Sequence, residues 1–145
     1  RENGEMVKQS LCPLSVALLT MGGAQARPVK HVEIDAAGLN LESVKNPNAI
    51  EACKKFKPTE EEVRRFFERA YPVESYILTT ERYSSCYAKG SLTFSDGSFG
   101  TWILYSSGTA LFTFSRGDQV NFFHKNNKWH DPYACTYGLG DRGQC

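Results

Sequence analysis

The stretch 86–123 constrains the fold of this chain more than any other part of its sequence. Four short apolar runs follow one another there, and the gaps between them carry glycine together with serine, aspartate or arginine. Runs of strand length separated by turn residues are typical of an antiparallel meander. The first run alternates, so one of its faces is expected in a core and the other in water. Its apolar and small positions are Cys86, Ala88, Gly90, Leu92 and Phe94.

The turn at Asp96–Gly97 decides which residues of the second run face the core. This dipeptide is a strong signal for a two-residue hairpin turn, since both central positions of a type I′ turn need positive φ. Such a turn pairs Phe94 with Phe99 and places Trp102 on the exposed face. A longer turn reverses the two faces. Both registers stay open, and on the first one Trp102 is a candidate recognition residue.

A helix is predicted shortly before the meander. Thr59 caps it, Glu62 completes a capping box three residues later, and Pro72 ends it. The stretch Tyr76–Tyr83 is rich in tyrosine and threonine and favours a further strand. The expected fold class is therefore α+β, with one main amphipathic helix packed on a four- to five-stranded antiparallel meander. The apolar face of the helix consists of Val63, Phe66, Phe67, Ala70 and Tyr71.

Residues 1–26 have the order of a secretory signal peptide, preceded by a few upstream residues. Lys8 stands before an apolar run, Leu11–Met21, and small residues follow up to Ala24–Gln25–Ala26. The run is shorter than the roughly 20 residues that a membrane span needs, so no stable span is expected after cleavage. A buried core helix is the alternative, which Pro13 disfavours. We expect a periplasmic or secreted protein.

The remaining chain divides into an irregular segment 27–57 and an α+β domain 58–145 with a disulfide-tethered tail. Within the first segment, the alternation of His31–Asp35 predicts a short edge strand. Four cysteines remain after cleavage, and an even number in an exported chain predicts two disulfides. Three pairings are possible. We favour Cys53 with Cys86, which ties the segment before the helix to the sheet, and Cys135 with Cys145, which ties down the tail.

A further pattern runs through the stretch Pro58–Phe123. Its residues are Pro58-Thr59, Ser85-Cys86-Tyr87-Ala88, Gly90, Phe94, Asp96-Gly97, Gly100, Trp102 and Leu104. In these residues the stretch resembles a group of small exported bacterial α+β proteins of uncharacterised function. The resemblance covers under half of the chain. It implies the fold and the export, and it carries over neither an activity nor functional residues.

No catalytic set, cofactor or metal site is predicted. His124, His130, Asp131 and Cys135 lie within a dozen residues, but their spacing matches no compact zinc pattern and an exported Cys135 is expected to be oxidised. Oxidation likewise argues against Cys86 as a nucleophile beside one of these histidines. The formal net charge is +1 without blocks of like charge, so binding to nucleic acid is not expected.

These features favour an exported non-catalytic binding protein, an inhibitor or immunity protein that acts on an enzyme or toxin of the cell envelope. Trp129, His130, Asp131 and Tyr133 of the tail, together with Trp102, are the candidate contacts, since aromatic anchors are frequent at interfaces. Trp129 packing the tail onto the sheet is the alternative. The competing functions are a small-molecule-binding protein or small enzyme with a pocket between helix and sheet, and an envelope component that associates through its edge strands.

Overall fold

The computed structural model describes residues 27–137, which form a six-stranded antiparallel sheet with two α-helices. The order of the strands across the sheet is β1-β3-β4-β5-β6-β2. In chain order the elements are β1 (Val29–Asn40), α1 (Pro47–Cys53), α2 (Glu60–Arg69), β2 (Tyr71–Pro72), a π-helical turn (Ile77–Glu81), β3 (Cys86–Phe94), β4 (Phe99–Tyr105), β5 (Thr109–Phe114), β6 (Gln119–Phe123) and a 3-10 turn (Ala134–Thr136). The predicted signal peptide and Cys145 lie outside the described residues.

The mixed α+β architecture agrees with the prediction, but the count of four to five strands is wrong. The predicted edge strand at His31–Asp35 lies in the first part of a longer strand, β1, which is at the edge of the sheet and pairs with β3 along most of its length. The segment 27–57, predicted to be irregular, thus contains β1 and α1. Val29 and Val32 are the buried residues of β1 and face the core, and the pairing of β1 with β3 shifts register where the alternation of its side chains breaks.

Helix α2 begins as its sequence predicts. The Thr59 hydroxyl accepts the backbone N–H of Glu62, and the Glu62 carboxylate accepts the N–H of Thr59. The same helix also holds the edge strand: Arg64 donates to the carbonyl of Val29, and Glu68 accepts the N–H of Val29 at 3.0 Å. These side chains satisfy backbone groups that a neighbouring strand would otherwise pair with.

The hairpin between β3 and β4 has the longer of the two possible turns. The N–H of Phe94 donates to the carbonyl of Ser98 at 2.8 Å, so Ser95, Asp96 and Gly97 form the loop. The Asp96 carboxylate accepts the N–H of Ser98, and Gly97 has φ +90°, a conformation that glycine adopts without strain. Gly90 therefore pairs with Trp102, which lies on the core face.

The strand predicted for Tyr76–Tyr83 is wrong. This segment forms the π-helical turn, in which the N–H of Arg82 donates to the carbonyl of Ile77. The Thr80 hydroxyl donates to the Tyr76 carbonyl one turn earlier. Local bonds of this kind compete with sheet pairing and outweigh the strand propensity of the residues.

Aromatic rings fill the space between α2 and the sheet. The ring of Phe67 lies about 6 Å from those of Trp102, Phe112 and Phe122, one on each of three successive strands. Trp102 is 1% exposed, and its indole N–H donates to the carbonyl of Ser91. The register of the hairpin therefore makes Trp102 part of the core, where each large apolar side chain contributes about 1.5–3 kcal/mol by leaving water.

The disulfide between Cys53 and Cys86 is present, as favoured from the sequence. Its sulfur atoms are 2.05 Å apart, both residues are buried, and it joins the end of α1 to the first residue of β3. Cys135 is also disulfide-bonded, whereas its predicted partner Cys145 lies beyond the described part of the chain. The Cys53–Cys86 link thus joins the segment before α2 to the sheet.

Candidate functional site

The segment 124–137, called the tail below, packs against the end of the sheet where β4 meets β5. Trp129 is only 7% exposed, and its indole N–H donates to the carbonyl of Ser106 at 2.9 Å. The ring centroid lies 5.7 Å from Phe56 and 6.0 Å from Phe66 of α2. Trp129 therefore packs the tail onto the core, the alternative that the sequence left open.

Asp131 lies inside the tail rather than on its outer surface. Its carboxylate accepts hydrogen bonds from the Ser106 hydroxyl at 2.6 Å, the backbone N–H of Tyr133 and the Tyr137 hydroxyl. Burial, followed by the negative charge of Asp131, raises the pKa of the Tyr137 phenol well above its usual range. Asp131 thus joins the second half of the tail to the turn after β4.

Tyr133 reaches from the tail to the start of β3. Its hydroxyl lies 2.8 Å from the Ser85 hydroxyl, which in turn donates to the side-chain carbonyl of Asn40 at the end of β1. Among the predicted contact residues, Trp102, Trp129, Asp131 and Tyr133 are therefore engaged in internal packing or hydrogen bonds, whereas the side chain of His130 is exposed.

The serine hydroxyls at this end of the sheet are structural. The Oγ atoms of Ser84 and Ser106 are 2.6 Å apart, and Ser106 donates to Asp131. Ser106 is 2% exposed, so its oxygen is closed to a substrate. In the described chain, residues 27–137, no group of three or more His, Cys, Asp or Glu residues has the geometry of a metal site. None of its helices is long and apolar enough to cross a membrane.

A charged cleft of about 300 Å³ opens beside Trp129, between α2 and the first part of the tail. We call it the basic cleft. Arg65 and Arg69 lie one helical turn apart on α2 and form one wall, and Lys128 lies on the other. Within residues 27–137 none of these cations forms a salt bridge. The basic cleft as a whole is lined by Glu62, Arg65, Arg69, Asn126, Asn127, Lys128 and Trp129.

The tail wall of the basic cleft is held by the turn between β4 and β5. The N–H of His124 donates to the carbonyl of Gly108, and the Asn127 amide donates to the carbonyl of His124 at 2.6 Å. Gly108 has φ +86°, and a Cβ atom there would lie 2.4 Å from the His124 carbonyl oxygen. Glycine at this position therefore allows the tail to approach the sheet.

The imidazole of His124 lies close enough to the basic cleft for the charge of Arg69 to affect its pKa. Burial, and then the positive charge of Arg69, lowers the pKa of His124, against a hydrogen bond with the backbone of Asn126. Its Nε2 atom is buried and has no hydrogen-bond partner among the described residues. Burial and the charge of Arg69 thus favour the neutral form of the ring.

A second depression is larger and more open. It has a volume of about 560 Å³ and lies between the end of β1 and helix α1, with Leu39, Leu41, Val44 and Ile50 as its apolar residues. Neither depression lies between α2 and the sheet, where the aromatic rings pack.

Comparison of the chain with protein-family models, with curated proteins and with solved structures found no match.

Sequence reasoning missed the basic cleft. In the sequence, the spacing of Arg65 and Arg69 places them on the polar face of an amphipathic helix, and Lys128 belongs to a polar, irregular tail. The signal that was present is the i, i+4 pair of arginines. Lys128 lies opposite them because the tail folds back onto the core, and this depends on the packing of Trp129 against Phe56 and Phe66.

Proposed function

We propose that this protein is an exported, non-catalytic binding protein that inhibits or neutralises an enzyme or toxin of the cell envelope. The observation that carries the proposal is the filled layer between α2 and the sheet. Phe66, Trp102 and Phe112 are at most 1% exposed and occupy the space that a ligand pocket there would need. A filled interior favours binding through the outer surface over the competing small-molecule site.

The rigidity of the tail supports the same proposal. Trp129 and Asp131 bond to Ser106 and Tyr133 bonds to Ser85, so the exposed side chains of the tail are presented in one arrangement. A surface that is ordered before binding loses less conformational entropy when the partner arrives. We place the partner-binding surface on the exposed part of the tail, including His130, and on the basic cleft beside it.

The proposed compartment is the periplasm or the extracellular space. Its support is the buried Cys53–Cys86 disulfide together with the bonded Cys135, since disulfides persist in oxidising compartments and are rare in the cytosol. The order of residues 1–26 is the sequence argument for export.

The test combines capture with a functional assay. The oxidised chain is immobilised and used to retain proteins from an envelope extract, and each retained enzyme or toxin is then purified and assayed with increasing amounts of the chain. We expect one retained protein to lose its activity at a ratio near 1:1. A His130→Ala chain should inhibit more weakly, whereas Lys89→Ala, on the opposite face of the sheet, should inhibit like the unmodified chain. Retained proteins whose activities never change on adding the chain would contradict the proposal.

A further inference from the structure

We propose that the basic cleft binds an extended acidic segment of the partner, with Arg65 and Arg69 each receiving a side-chain carboxylate. This inference rests on the proposed function and names the chemistry that the partner presents. The chain as a whole is almost neutral, with a formal charge of +1. The cleft nevertheless gathers Arg65, Arg69 and Lys128 around a single carboxylate, that of Glu62. Its positive charge is therefore local.

The cations of the cleft are available for a partner. In the part of the chain that the structure describes, Arg65, Arg69 and Lys128 form neither salt bridges nor side-chain hydrogen bonds. Glu62 is engaged elsewhere, because its Oε1 atom accepts the N–H of Thr59 in the capping box. Guanidinium groups bind carboxylates in a bidentate, charge-assisted manner.

The spacing of the arginines selects the form of the ligand. Arg65 and Arg69 are four residues apart on one helix, which separates their Cα atoms by about 6 Å along the axis. Alternate side chains of an extended strand lie on the same side, about 6.5–7 Å apart. Two acidic residues separated by one other residue therefore match the two arginines.

The other groups of the cleft favour a peptide over an inorganic anion. Glu62 repels phosphate and peptide carboxylates alike, but a peptide also offers backbone N–H donors, which phosphate lacks and which the second carboxylate oxygen of Glu62 can accept. Asn126 adds an amide group that can pair with peptide N–H and C=O groups. The α2 wall is rigid because Phe66, the neighbour of Arg65, is buried in the aromatic core.

The experiment is a titration of the ¹⁵N-labelled, oxidised chain with a short capped peptide that contains Glu-Ser-Glu, followed by NMR. Matched probes are the Gln-Ser-Gln peptide and inorganic phosphate, each at low and at physiological salt. We expect the acidic peptide to shift signals of Arg65, Arg69 and residues 126–129. The Gln-Ser-Gln peptide should bind at least ten times more weakly than the Glu-Ser-Glu peptide. Binding of the Glu-Ser-Glu peptide should weaken as salt rises, because the cleft is open to solvent.

The matched variants separate the cleft from the general charge of the chain. Arg65→Gln combined with Arg69→Gln should weaken the acidic peptide at least tenfold, with signals outside the cleft unchanged as a control of folding. Lys89→Gln, an exposed cation on β3, should change the affinity less than twofold. Equal binding by the double variant, equal binding of the Gln-Ser-Gln peptide, or tighter binding of phosphate would each overturn the proposal.

Failure of the proposed function gives a different pattern. In that case the acidic peptide binds the cleft as expected, but no retained enzyme or toxin is inhibited by the chain. If instead a partner is inhibited equally well by the double variant, the proposed function stands and the assignment of the acidic segment to the cleft is wrong.

Discussion

Replacing Trp129 by alanine tests whether the tail is part of the folded core. The indole lies between Phe56 and Phe66, and its N–H satisfies the carbonyl of Ser106. Truncating a buried tryptophan or phenylalanine to alanine costs about 3–5 kcal/mol. Because the loss of the N–H also leaves the Ser106 carbonyl without its partner, we expect the free energy of unfolding to fall by about 4 kcal/mol or more.

A conservative variant divides this loss into its parts. Trp129→Phe keeps most of the ring contacts but removes the hydrogen-bond donor, so the expected loss is about 1–2 kcal/mol. The exposed neighbour provides the control, since His130→Ala should change stability by less than about 0.5 kcal/mol.

Urea unfolding measures these differences directly. The chain has two tryptophans, so Trp102 in the core remains as the fluorescent probe when Trp129 is replaced. Far-ultraviolet circular dichroism gives an independent transition, and coincidence of the two curves supports a two-state analysis. A Trp129→Ala chain within about 0.5 kcal/mol of the unmodified one would refute the reasoning, because the indole would then contribute little to the core. An equal loss for Trp129→Phe and Trp129→Ala would show that the hydrogen bond, rather than ring packing, dominates.

Further measurements test the sheet, the disulfide and the cleft. Cys53→Ala with Cys86→Ala opens a link between residues 33 positions apart, and the chain-entropy relation predicts a loss of about 3.7 kcal/mol in urea unfolding. Gly90→Ala places a Cβ atom 1.9 Å from the Glu33 carbonyl oxygen and should cost about 3 kcal/mol or more, seen as a lower melting temperature. The pKa of His124 is lowered in the folded chain, so below about pH 6.5 the unfolded chain binds more protons than the folded one. The free energy of unfolding should therefore fall as the pH drops below this value. His124→Gln should remove that part of the pH dependence.

Each of these predictions has a matched control. Ser91→Ala, on the solvent face beside Gly90, should leave the melting temperature nearly unchanged, and an equal loss there would contradict the argument from close approach. His130→Gln should retain the pH dependence below pH 6.5, because His124 is untouched. If the double cysteine variant unfolds at the same urea concentration as the unmodified chain, the disulfide does not restrict the unfolded state as the relation assumes.

Several features follow from the sequence because they depend on residues close together in the chain. The capping box of α2 needs only Thr59 and Glu62, which are three residues apart. The alternation of 86–94 needs only the period of a strand, and it identified the buried face of β3 correctly. The Cys53–Cys86 disulfide is not local, since 33 positions separate its residues, but its pairing is one of only three that four cysteines allow, and the structure confirms it.

Other features were decided by contacts between distant segments. Asp96–Gly97 is compatible with two turn lengths, and the one-residue difference determines whether Trp102 lies in the core or in water. The segment Tyr76–Tyr83 has strand propensity, yet local hydrogen bonds make it helical. The length of β1 depends on pairing with β3, between 46 and 65 residues later in the chain.

The candidate site belongs to this second group. By itself the sequence determined the positions of Arg65 and Arg69 on one helical face, since their spacing and the cap of α2 are local. Only the tertiary structure brings Lys128 opposite them, because the tail returns across the sheet when Trp129 enters the space between Phe56 and Phe66. Burial of that ring depends on three segments at once, and such a contact leaves no periodic signal in any one of them.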